Sequence, residues 1–307
     1  MKNGPARLTI LCIVSLLGFS ILGITSVSGR YTSWVTSGYA IGGGTIGTGS
    51  IAVAAFFSSQ NLKGAGAFSG SLMPLGIGGT NFDVAGIFSL TDPNPTLPVL
   101  PCGPAGEIGA SGRVIAGSFL GQQVVVASCL DKNNFTVVLL SDGAPNCIGS
   151  PSRSGCTYSG AGIGNIAPIA SSILAGAVIA GNTSGAGSAG SGGVDMGKVI
   201  LVLIDGRLQG GGAFVGSLGL PVPVAGITSV TSISARNGCE TDLSGAVSAG
   251  SFSGQRETTS FVPVTCPPTS IQQGRVLLDG TVGLTIGAIN TPIYTGKGPG
   301  LVLATIG

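Results

Sequence analysis

The chain has 307 residues, 43% hydrophobic and only 8% charged, with 56 glycines, no histidine and a formal net charge of +2. Lack of histidine excludes Ser-His-Asp and Cys-His catalysis, and the lack of a basic stripe leaves nothing to hold nucleic-acid phosphates. Glycine does not recur at every third position, so collagen is excluded, and the supply of Val, Ile, Leu and Phe excludes a disordered chain.

The chain opens with Lys2 and Arg7, the apolar stretch "LTILCIVSLLGFSILGIT" and the small residues "SVSG" (Ser26 to Gly29). That order predicts a secretory signal peptide or a retained membrane anchor over residues 1–29. Any membrane contact is expected through this segment alone. Losing Lys2 and Arg7 from the thirteen basic residues balances them against eleven acidic ones, so the exported chain is close to neutral. A neutral, charge-poor exterior favours association.

Residues 30–49 read as an N-terminal arm. "YTSWVTSGYAIGGGTIG" (Tyr31 to Gly47) places Tyr31, Val35, Tyr39 and Ile41 on one face if extended, and it carries the only tryptophan, Trp34. It is either the first strand of its own domain or a donor strand that completes a neighbour's sheet. Tyr31, Trp34, Val35, Tyr39 and Ile41 are the expected assembly residues. "GGGTIGTGS" (Gly42 to Ser50) lacks the lysine of a phosphate loop and reads as a hinge for that arm.

The rest of the chain repeats itself. "GAFSGSL" (Gly66 to Leu72) returns as "GAFVGSL" (Gly212 to Leu218), and "AGSFLGQQ" (from Ala116) returns as "AGSFSGQR" (from Ala249). "VVLLSDG" (Val137 to Gly143) is matched with "RVLLDG" (Arg275 to Gly280), and "IGNIAPI" (Ile163 to Ile169) with "IGAINTPI" (Ile286 to Ile293). Ordered echoes of this kind predict a tandem duplication. The apolar runs are short, β-branched and bounded by turn residues, so each unit is all-β, and a β-sandwich or jelly-roll is expected. The units are placed at 50–175 and 197–307, with the small-residue stretch 176–196 as a linker or long loop between them. "APIASSILAGAVIAG" (Ala167 to Gly181) reads as a short helix or a buried strand. Asp142-Gly143, Asp205-Gly206 and Asp279-Gly280 are expected hairpin turns.

Six cysteines follow the first segment, and an even number after export predicts disulfides. Cys102 and Cys239 each stand 27 positions before Cys129 and Cys266. If the copies share a fold, these form equivalent bridges, and Cys147 pairs with Cys156 around an insertion that carries Arg153. Asn134 and Asn182 head glycosylation sequons, with Asn182 favoured by its place in the linker. Asp83, Asp92, Glu107, Glu240, Asp242 and Glu257 are among the carboxylates available to a histidine-free glycosidase, and Glu240 lies close to Asp242. No cofactor or metal is expected, because no C-x-x-C pair or dense D-x-D loop occurs.

In composition the chain resembles archaeal extracellular filament subunits of the thread or pilus kind. That resemblance implies a β-rich, often glycosylated subunit, in some cases polymerising by strand donation, and it transfers no site residues. The expected function is a structural, non-enzymatic, self-assembling surface protein whose main partner is itself. The alternatives are an adhesin or virion surface protein that binds a receptor and, more remotely, a secreted glycosidase.

Overall fold

A computed structural model of the chain describes residues 33–58, 63–76, 78–92, 107–129, 134–140, 156–219, 222–236, 240–265 and 275–306. These fold into two closed antiparallel barrels of eight strands. Barrel 1 comprises β1 (Trp34–Gly44), β2 (Gly47–Ser58), β3 (Lys63–Met73), β4 (Phe82–Asp92), β5 (Glu107–Gly117), β6 (Gln123–Cys129), β7 (Asn134–Leu140) and β8 (Cys156–Pro168). Barrel 2 comprises β9 (Ile173–Gly187), β10 (Gly190–Leu203), β11 (Leu208–Leu218), β12 (Val222–Arg236), β13 (Glu240–Gly250), β14 (Arg256–Pro263), β15 (Arg275–Ala288) and β16 (Thr291–Ile306). Each strand pairs with the next, and β8 closes on β1 as β16 closes on β9. The all-β duplication therefore holds, but the units are up-and-down barrels, because among the described residues each strand pairs with its neighbours in sequence and each sheet closes on itself, with none of the crossovers of a sandwich or jelly-roll.

Alternation along the strands sorts side chains to two sides. In barrel 1, Trp34, Ile51, Val53, Phe57, Phe68, Val84, Phe88, Val124, Val126 and Tyr158 meet inside. Their counterparts in barrel 2 include Ile179, Val194, Met196, Ile200, Phe214, Val224, Phe261 and Tyr294. An eight-stranded barrel encloses about the space that side chains of this size fill. Tyr158 and Tyr294 pin the two barrels alike. The Tyr158 hydroxyl lies 3.2 Å from the Ala40 carbonyl and 3.3 Å from that of Gly49, and Tyr294 lies 3.3 Å from the Gly192 carbonyl.

The repeated "AGSF" phrase is a turn. Gly117 and Phe119 have φ of 85° and 64°, and Gly250 and Phe252 have 88° and 65°. Val114 and Val247 donate their N–H to the carbonyls of Gln122 and Gln255, both at 2.9 Å. Ser118 and Ser251 donate theirs to Ala85 and Ala225, both at 2.8 Å. A left-handed phenylalanine is costly. It is repaid by stacking, since Phe119 lies 5.9 Å from Phe68 and Phe252 lies 6.4 Å from Phe214, centroid to centroid. A Cβ on Gly250 would sit 2.4 Å from the Ala225 carbonyl oxygen at an unfavourable φ. Gly250→Ala should therefore lower stability by about 1–3 kcal/mol in denaturant melts.

Several local expectations change. The segment 176–196 is no linker: it forms the β9–β10 hairpin, because its small residues lie where strands pack closely. The barrels are joined instead by the four residues between Pro168 and Ile173. "APIASSILAGAVIAG" runs from the end of β8 into β9, with no helix. "GGGTIGTGS" is the β1–β2 hairpin, not a hinge. Asp205-Gly206 is a turn, with Gly206 at φ 78°, whereas Asp279-Gly280 lies within β15 and pairs on both sides. Asp142-Gly143 lies outside the described residues. The last two sequence echoes are not spatial equivalents: "IGNIAPI" is in β8, but "IGAINTPI" turns from β15 into β16. Register aligns Val137 with Leu284, not with the "RVLLDG" stretch, because each faces the glycine beside the pinning tyrosine, Gly160 or Gly296.

The barrels pack outer face to outer face. Val35, Ala54, Phe56, Ala65, Ala67 and Ile87 of barrel 1 share one buried cluster with Val178, Ala180, Val199, Leu201 and Leu303 of barrel 2. Ala52 meets Ala213 and Val215 in a second cluster. The Ser69 hydroxyl donates to the Gly181 carbonyl at 2.7 Å across the seam. Burial on both faces explains why β2, β3 and β10 read as continuous apolar and small-residue runs.

Candidate functional site

The two interiors differ most in one layer, which is apolar in barrel 1 and charged in barrel 2. Pairing registers place Ala55, Phe88, Val124 and Val126 of barrel 1 at the positions of Lys198, Thr228, Glu257 and Thr259 in barrel 2. Lys198 on β10 and Glu257 on β14 stand on opposite sides of barrel 2 and form a fully buried ion pair. The Thr259 hydroxyl donates to the other Glu257 oxygen at 2.5 Å. Thr228 Oγ1 is buried without a hydrogen-bond partner. Space is conserved in the exchange. In barrel 1 the Phe88 ring lies over Gly66, and in barrel 2 the Lys198 stem lies over Gly212, the equivalent glycine. Burial pushes the Lys198 ammonium below its ordinary range, and the Glu257 carboxylate pulls it back up. Chemically the layer is a self-neutralised pair in a fully buried interior, with one spare hydroxyl.

A second buried carboxylate lies on the outer face of β10. Asp195 accepts a 2.7 Å hydrogen bond from Asn182 Nδ2 on β9. Burial, with a smaller push from Asp83, raises its carboxyl to about 7 against the lowering effect of that bond.

The sequence-based candidates are scattered. Trp34 points into barrel 1, Val35 lies in the seam, Tyr39 packs against the Ala52 cluster, and Ile41 is 67% exposed. They belong to β1, which is hydrogen-bonded to β2 on one side and β8 on the other, so the free arm is corrected to a barrel strand. Tyr31 lies outside the described residues. Cys129 and Cys156 are disulfide-bonded. Cys102, Cys147, Cys239 and Cys266 lie outside the described residues, as does the insertion with Arg153. Asn182 is on a strand with its amide engaged, so a glycan there would break the bond to Asp195. Asn134 begins β7. Glu240 and Asp242 are alternate residues of β13, half-buried and buried. Asp83 and Asp92 are exposed near the ends of β4, and Glu107 begins β5. The barrel-2 layer thus unites Glu257 with Lys198, a residue that sequence reading passed over. Its signal was the coupled change of Val124 to Glu257 beside the repeated "AGSF" phrase.

On the outside of barrel 1, Ser89, Thr91, Ser111, Gly112, Arg113 and Gln123 line a solvent-open recess of about 310 Å³ across β4–β6. Arg113 Nη1 donates to the Gly121 carbonyl at 3.0 Å beside it.

No family model matches the chain, and no curated protein matches it. Solved structures offer distant likenesses. Kievitone hydratase from Nectria haematococca is 10% identical, with 89% of this chain and 88% of that one covered and a TM-score of 0.29. A protein named AttH from Nitrosomonas europaea is 9% identical, with 88% and 92% covered and a TM-score of 0.24. Likeness at this level carries no argument about family or activity.

Proposed function

We propose that the chain is a structural, non-enzymatic protein of the cell exterior that assembles with itself through barrel faces. The observation that carries this reading is the seam between the barrels. Two outer faces whose buried cluster is made of Ala, Val, Leu, Ile and Phe adhere there, and the exported chain has almost no net charge to oppose further contacts of that kind. Strand donation is a poor mechanism for this fold, since closing a barrel removes sheet edges. Light scattering and negative-stain microscopy of the exported chain, purified without reductant, test the reading. Regular fibres or sheets above a threshold concentration are the expected result. Dispersed two-lobed particles at every concentration would overturn it.

A second reading, a binding protein or enzyme working inside barrel 2, is favoured by the Lys198–Glu257 layer. It ranks below the first because the two charges satisfy one another and are fully buried. Saturable binding of a small molecule by the native chain, lost in Lys198→Met, would reverse the order.

A further inference from the structure

The seam has a symmetry that neither barrel shows alone. β2 packs on β11 and β3 packs on β10. β1 packs on β11 and β3 on β9, and likewise β1 on β12 and β4 on β9. β2 also faces β10, its own counterpart. Since β1 to β4 are equivalent to β9 to β12, each of these contacts occurs with its reciprocal, and the packing of β4 on β16 is the exception. That is the mark of an isologous interface, in which one surface binds a second copy of itself. Single residues follow the rule. An ideal Cβ on Gly211 would lie 3.6 Å from Ser37 Cβ. The reciprocal positions, Ala65 and Ala180, belong to the same buried cluster. A Cβ on Gly197 would approach Ala67 and Ala54 at 3.0 and 3.4 Å, and Ala54 is the residue equivalent to Gly197.

We propose that this seam is the self-association surface of the protein: barrel 1 of one chain docks on barrel 2 of the next, in place of its own. The partner is a second copy of this chain. Closed and exchanged forms make the same contacts, so their balance depends on concentration, because docking within one chain benefits from the local concentration set by a short connection. Each open chain offers one face at either end, so exchange closes into a dimer or ring where the two ends meet and extends head to tail into a fibre where they do not. Near-neutral net charge leaves little repulsion between copies. The inference rests on the self-assembly reading above and supplies its mechanism.

Two variants of the full chain test it. Ser37→Cys with Gly211→Cys places two thiols across the seam at a Cβ separation suited to a disulfide. Assembled material, oxidised and run without reductant, should give a ladder of covalent multimers, and dilute material a single-chain band. Separately, a protease site inserted between Ala170 and Ser171 allows the connection to be cut after assembly. Cutting should collapse fibres to particles with the mass of one chain, since every link between neighbours passes through that connection. Fibres that survive cutting, or assembled material in which the new bond is shown to form only within single chains, would overturn exchange while leaving self-assembly intact. A chain that never assembles would overturn both. If the double variant fails to form its bond, the cutting experiment decides.

Discussion

Glu257→Gln should lower the stability of barrel 2 by about 3–5 kcal/mol, because it leaves the buried Lys198 ammonium without its counter-charge. Lys198→Met should cost a similar amount by leaving the carboxylate unpaired. The quadruple change Lys198→Ala, Thr228→Phe, Glu257→Val and Thr259→Val behaves differently. It installs the layer that barrel 1 already has, including a phenyl ring over the equivalent glycine. It should fold, and should match or exceed the native stability by about 1–4 kcal/mol, as replaced buried ion pairs often do. Equilibrium unfolding in denaturant distinguishes these outcomes. A quadruple variant less stable than either single change would show that the two interiors are not interchangeable.

Acid should stabilise this protein through Asp195. Its carboxyl titrates near 7 in the folded chain, well above its ordinary value near 3.8. Between those values the folded state holds a proton that the unfolded state has released, so stability falls as pH rises from about 4 to 7 and levels off above. Three pH units correspond to about 4 kcal/mol at most. Asp195→Asn keeps an oxygen to accept the Asn182 bond and removes the charge. Its melting temperature at pH 8 should rise by several degrees, with little change at pH 4. The Asp195 charge in turn raises the Tyr294 hydroxyl. Equal effects at both pH values would mean that Asp195 titrates alike in the folded and unfolded chain.

Duplication and strand content were legible because they rest on local words. The turn written "AGSF" needs glycine and a phenylalanine held at positive φ by stacking, and the sequence repeats both. Barrel closure was not legible, because it depends on the pairing of β1 with β8, more than a hundred residues apart. The 176–196 stretch misled for a physical reason. Small residues mark a flexible linker, but strands that must pass close to another sheet need the same residues. Lys198 and Glu257 lie 59 residues apart on strands that are not neighbours in the sheet, so nothing local joins them. Only an alignment of the two copies, read for paired apolar-to-charged changes, brings them together.

Barrel closure has a mechanical side. Trp34 and Pro168 are direct partners at the same end of the β1–β8 ladder, and Ala175 faces Ile306 in the same way in barrel 2. Tension applied between the two ends of either barrel would therefore peel these ladders open one rung at a time, the geometry in which few hydrogen bonds share the load. A fibre of these subunits would be weak if strain ran along the backbone and strong if it ran sideways through the docked faces. In a pulling experiment on a single chain, each barrel should give way at low force from its own termini inward.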